Sequence, residues 1–185
     1  MADDLATPWH GGVPAAATAV VKRIETFRPD PYQDNPGNPN DTWTIGYGSI
    51  HDGTGNRVTA NTPQVTQAQA DALLQHEMSA TAQEVQTKVT VALLTREAAA
   101  MISWTFNLGG PNLESSTLLR RLNASDKAGV PDEMRRWINQ GGKPLVGLLR
   151  RRWAEAAIFV GLDPEAACDR AWAEIGTLAD WPNFS

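Results

Sequence analysis

A chain of 185 residues has room for one substantial core, or for two small lobes that share one. Its 42% hydrophobic and 20% charged residues are ordinary for a globular protein, and no apolar run approaches the length of a membrane span, so stable membrane insertion is not expected. A net charge of −5 argues against nucleic acid as a partner, and the single cysteine, Cys168, excludes an intramolecular disulfide.

The opening MADDLATPWHGG is acidic and holds no apolar stretch of signal-peptide length. The chain is therefore expected to fold in a cytoplasm, with delivery by another protein if its substrate lies beyond the membrane. Residues 14–27 read as a helix, with Ala17, Val20, Val21, Ile24 and Phe27 on one face and Pro14 in the first turn. Pro29 and Pro31 forbid its continuation and push the chain extended. Glu25 then falls in the last turn, where the negative end of the helix dipole disfavours a charge and suits a group that keeps its proton.

Residues 35–42 (NPGNPNDT) are turn chemistry throughout. Residues 42–50 alternate as a strand does, residues 51–56 form another turn, and residues 57–59 supply a returning strand of a small antiparallel sheet. Thr66-Gln67-Ala68-Gln69 matches a capping box and opens a long helix with Ala70, Leu74, Met78, Ala82, Val85 and Val89 as its stripe. Further helices are predicted from Thr95, as cap, to about Leu108, from Ser115 or Ser116, over 133–138, over 146–160 and over 164–178. The expected architecture is α+β and mainly helical. It is one domain, with a small lobe over 1–65, a connecting helix over 66–90, a helical lobe over 91–160 and an extension over 161–185. A cleft between the lobes would accept a polymer.

The chemistry concentrates between Glu25 and Ser49. Asp34 follows Glu25 by nine residues, on a different element. Two carboxylates facing one gap are the minimal equipment for cleaving a glycosidic bond: one protonates the leaving oxygen, the other activates water or attacks the sugar carbon. Asp30 and Asp41 compete with Asp34 for the second role. His10, His51 and His76 are scattered, no metal-ligand spacing or Ser–His–Asp set stands out, and no cofactor is expected. Cys168 reads as a buried inert thiol.

Glu25, Tyr32-Gln33-Asp34 and Trp43-Thr44-Ile45-Gly46-Tyr47-Gly48 together resemble the active-site segment of phage-type lysozymes, the endolysins of the T-even phage type. Phe106-Asn107-Leu108-Gly109, Trp137 before Gly141-Gly142, and Gly147-Leu148-Leu149-Arg150-Arg151-Arg152 follow in the family's order. The resemblance implies a lysozyme-like fold and an inverting muramidase that acts on peptidoglycan glycan strands. In that scheme Glu25 is the general acid, Asp34 activates the water and Thr44 holds it. Asn107 and Trp43 meet the sugar, and Arg150 reaches toward Glu25, with Arg151 as its rival. The resemblance further implies a monomeric endolysin, held in the host cytoplasm until a holin releases it to the cell wall.

Three departures stand out. Nine residues separate Asp34 from Thr44, where the family has about five; Ser49 stands where the family has His; and Thr26 stands where it has Gly. The longer turn favours a second hypothesis, a wall-binding or phage-structural module that keeps the fold without the activity. A lytic transglycosylase, which needs the acid but no water-activating Asp, is a third. Residues 161–185 could pack on the helical lobe or dock a partner, and their charge is uneven, with one Lys/Arg against five Asp/Glu.

Overall fold

The computed structural model describes residues 4–33, 38 and 41–184, and among them eight α-helices, one 3-10 turn (Lys127–Gly129) and two short antiparallel hairpins follow one another. Helix α1 (Ala15–Ile24) starts after Pro14 and buries Ala16, Ala17, Val20 and Val21. It ends one residue before Glu25, whose backbone N–H closes the last turn on the Val21 carbonyl at 2.8 Å. The next residue accounts for the stop. Thr26 has a φ of +25°, a region that a β-branched residue enters only under strain. Glycine there would relieve roughly 1–2 kcal/mol of strain and lose part of it to unfolded-state entropy. Thr26→Gly is therefore expected to stabilise by about 1 kcal/mol, read as a higher urea midpoint at unchanged slope; a lower midpoint contradicts the strain.

Pro29 and Pro31 do hold the next segment extended, and the segment also acquires a partner. Strand β1 (Arg28–Tyr32) pairs antiparallel with β2 (Thr44–Gly46), in the register Arg28↔Gly46 and Tyr32↔Thr44 with an irregularity between. The strand predicted over 42–50 is thus shorter. It turns back at once because Gly46 and Gly48 take φ of +68° and +95°, so that Ile45 pairs with Ser49. A Cβ at Gly46 would stand 3.0 Å from the Ala70 Cβ, so the next helix rests against the glycine itself. The predicted returning strand reduces to a single bridge, His51 to Arg57.

Helix α2 (Gln67–Lys88) begins on the predicted capping box. The Thr66 hydroxyl accepts from the Gln69 N–H at 3.2 Å, and the Gln69 side chain accepts from the Thr66 N–H at 2.8 Å. It buries Ala70, Leu74, Met78, Ala82 and Val85, the expected stripe. Helix α3 (Thr95–Leu108) is the centre of the core and is buried from Glu97 to Thr105, its Ala98-Ala99-Ala100 run letting neighbours approach closely. Thr95 is not its cap. Glu97 accepts from the Leu94 N–H at 2.8 Å, while the Thr95 hydroxyl donates to the Thr7 carbonyl at 3.0 Å and ties down the N-terminal strap.

Gly109 ends α3, and α4 (Gly110–Ser115) starts immediately, because Pro111 suits a first turn. Ser116 caps α5 (Thr117–Asn123), accepting from the Leu119 N–H at 2.9 Å. Helix α6 (Val130–Arg135) lies three residues earlier than predicted. Gly141 and Gly142, with φ of +58° and +77°, turn an unpredicted hairpin of β3 (Asn139–Gln140) and β4 (Lys143–Pro144). Helix α7 (Val146–Val160) packs on α3 and α6, and α8 (Pro164–Glu174) covers α7 and reaches α1. The C-terminal segment is therefore part of the core. Cys168 on α8 is buried, and burial pushes its thiol up to about 11, which keeps it protonated and inert.

Candidate active site

The β1–β2 hairpin, α2 and the end of α3 enclose a cleft of about 530 Å³ beside the end of α1. Glu25, Thr44 and Asn107, distant in sequence, all line it, together with Tyr32, Tyr47, Glu77 and Phe106. A larger recess of about 770 Å³ adjoins it across His51 and Glu77, walled by Val65, Ala72, Leu73 and Ala80. That recess carries none of the predicted residues, so convergence of polar groups rather than size marks the site.

Each side chain is held by its element. Glu25 is carried past the end of α1 into the cleft and forms an ion pair with Arg151 Nη1. The Thr44 hydroxyl donates to the Tyr32 carbonyl across the hairpin at 3.3 Å, which commits its proton and leaves its oxygen to accept from a molecule in the cleft. Asn107, at the end of α3, accepts on Oδ1 from Arg152 Nη2 at 2.9 Å, which leaves its amide N–H groups to donate.

Other predicted residues fare differently. Asp34 lies outside the described residues. Asp41 is half-buried, and its backbone carbonyl takes the Gln33 amide at 2.9 Å. Asp30 accepts from Gln64 at 2.5 Å on an exposed surface. Trp43 is half-buried and does not line the cleft. The expected reach of Arg150 toward Glu25 is corrected. Arg150 Nε donates to the Ile175 carbonyl at 2.9 Å and its guanidinium lies over Trp172, so α7 turns it toward the C-terminal segment. The rival, Arg151, makes the contact.

Behind the cleft, Arg151 and Arg152 share one buried carboxylate, Glu155. Burial pushes the Arg152 guanidinium down to about 10, with Glu155 opposing, so it remains a cation at neutral pH. Glu155 escaped the sequence reading. The clue was available: in the helical pattern over 146–160, Arg152 and Glu155 fall among Leu149, Trp153, Ala156 and Phe159, where a solvated face has no place.

Glu77 was missed as well. Ser49, in place of the family's His, is buried and donates to Glu77 at 3.1 Å, so a polar contact exists here after all. Burial pushes the Glu77 carboxyl up, and the Ser49 hydroxyl, His51 and His76 only partly oppose this. The folded state thus holds this proton more tightly than the unfolded chain. The resulting stability is full below the ordinary value of 4.5 and is lost as pH rises through the folded value. Glu77→Gln, which can still accept from Ser49, is expected to melt above wild type at pH 7, with the difference closing at about pH 4. A pH-independent difference contradicts this assignment.

The sequence model of the phage lysozyme family matches residues 22–155. The chain is 34% identical over 144 residues to the endolysin of Acyrthosiphon pisum secondary endosymbiont phage 1, covering 76% of this chain and 92% of the relative. Among solved structures it is similar to an endolysin from Escherichia coli O157:H7 phage FAHEc1, at 28% identity and a TM-score of 0.73, covering 83% of this chain and 96% of that one. It is similar too to the muramidase domain of SpmX from Asticaccaulis excentricus, at 27% identity and a TM-score of 0.70, covering 83% of this chain and all of that one, 100%.

Proposed function

The chain belongs to the phage lysozyme family, and from that premise we propose that it is a muramidase that hydrolyses the β-1,4 bond between N-acetylmuramic acid and N-acetylglucosamine in peptidoglycan. The observation that carries the proposal is the meeting of Glu25, Thr44 and Asn107 in one cleft, with Glu25 pinned by a buried arginine.

Glu25 protonates the leaving oxygen as the glycosidic C–O bond breaks. Asp34 takes a proton from the water that attacks the anomeric carbon from the opposite face, and Thr44 accepts a hydrogen bond from that water and aims it. Attack by water on the far face inverts the configuration. Asn107 donates to the sugar. The named activity of the SpmX muramidase domain, which is similar to this chain over most of its length, supports the bond assignment.

No helix among the described residues is long and apolar enough to cross a membrane. In this reading the enzyme is a monomer, accumulates in the host cytoplasm and reaches the periplasmic wall through a holin pore during lysis.

The test is product chemistry on purified peptidoglycan. Hydrolysis adds one water and leaves a reducing N-acetylmuramic acid end. An N-acetylglucosamine reducing end would contradict the bond assignment, and a 1,6-anhydro end would identify a transglycosylase. Binding to the sacculus without new ends would identify a binding module.

A further inference from the structure

Glu155 does not line the cleft, yet two of the groups that do are held through it. It is fully buried, four residues after Arg151 and three after Arg152 on α7, spacings that bring all three together on one side of the helix. Its Oε1 accepts from the Ser103 hydroxyl at 2.8 Å, from Arg151 Nε at 3.2 Å and from Arg152 Nη2 at 3.2 Å. Its Oε2 lies 3.0 Å from Arg152 Nε, close as an ion pair though not aligned as a hydrogen bond. The outer ends of the two guanidiniums face forward, Arg151 Nη1 to Glu25 and Arg152 Nη2 to Asn107.

We propose that Glu155 is a positioning residue for the hydrolysis, holding Arg151 against Glu25 and dividing that arginine's charge between two carboxylates. The proposal rests on Glu25 being the acid. A guanidinium is a rigid fork, so fixing its Nε fixes the direction of its Nη1. An arginine free of Glu155 would give its whole charge to Glu25, which must hold a proton and surrender it at every turnover. The charge balance points the same way. With Glu25 as a carboxylate, Arg151, Arg152, Glu25 and Glu155 sum to zero, and removing Glu155 leaves two buried cations facing one carboxylate. Arg151 Nη2 and Arg152 Nη1 already lack partners, so no spare acceptor stands ready among the described residues.

Other titratable groups surround these contacts. On α8 and the end of α1 they are Cys168, Asp169 and Arg23. Across the cleft they are Tyr32, Tyr47, His51 and Glu77. None of them bonds to Arg151 or Glu155 among the described residues.

Glu155→Gln keeps the shape and an acceptor but removes the charge. At pH 7 kcat should fall about tenfold, with KM within about threefold of wild type. A kcat per folded molecule equal to wild type, with activity lowered only by a smaller folded fraction, overturns the proposal. Should Glu155→Gln fail to fold, the double variant Arg152→Met/Glu155→Met replaces the buried pair with apolar groups, a change that folds often tolerate. It is expected to stay about tenfold below wild type in kcat, because Arg151 has lost its anchor; a return to wild-type kcat overturns the proposal. Glu25→Gln is assayed alongside. If it keeps wild-type activity, the reading of Glu25 as acid fails. If it is inactive while Glu155→Gln keeps wild-type kcat, only the role of Glu155 fails.

Discussion

Glu25→Gln is expected to abolish the release of reducing ends from purified peptidoglycan, with kcat down roughly 1,000-fold or more. A positioned general acid contributes about 10²–10⁴ in rate, and glutamine has no proton to give at any working pH. The substitution keeps the volume of the side chain, and its amide oxygen can still accept from Arg151. It removes one of the two carboxylates that face the Arg151–Arg152 pair, so a modest loss of stability should accompany the loss of rate. The informative comparison therefore sets reducing-end release beside sacculus binding and a thermal melt, for both proteins. A folded variant that binds the sacculus and releases nothing, next to an active wild type, supports the acid. Equal rates would end Glu25's claim to the role. Equal inactivity with both proteins bound to the wall would favour the binding-module reading, with the longer turn between Asp34 and Thr44 as its cause.

The largest loss of stability is expected from Trp153→Ala. The indole is fully buried on α7, its Nε1 donates to the Pro182 carbonyl at 2.8 Å, its ring meets Phe184 at 5.5 Å, and the Arg170 guanidinium lies 5.2 Å from its centroid. Truncating a buried tryptophan costs about 3–5 kcal/mol, a large share of the 5–15 kcal/mol typical of a domain. The midpoint of urea unfolding should fall accordingly. Because Trp153 is also the seat of the chain's last residues, residues 181–184 should become cleavable by protease under conditions where the rest of the fold resists. A cost below about 1 kcal/mol, or an unchanged cleavage pattern, would show that the tail is held by α8 rather than by this ring.

These two side chains mark the division between what local sequence settles and what packing settles. The capping box at Thr66, the stripe of α2 and the bounds of α7 were legible, because each depends on residues within about four positions of one another, whereas the first helix, read to residue 27 with Glu25 in its last turn, ends at Ile24. Glu25 and Thr44 lie too far apart for such a local reading; the family resemblance joined them, and both line one cleft. Sequence alone also established that no intramolecular disulfide is possible, and it pointed to residues 25–49 for the chemistry. Tertiary structure decided the rest. Successive residues on a helix point about 100° apart. Which of three consecutive arginines meets Glu25 is therefore set by how α7 is rotated against α3, and the answer is Arg151 rather than Arg150. The strand character of Arg28–Tyr32 depends on a partner twelve or more residues away, and two prolines conceal it. Thr95 lost its predicted cap role because a distant carbonyl, Thr7, competed for its hydroxyl. Ser49 found Glu77, and Glu155 became the seat of two arginines, because burial penalises a polar group left without a partner and only the fold decides which partner is near.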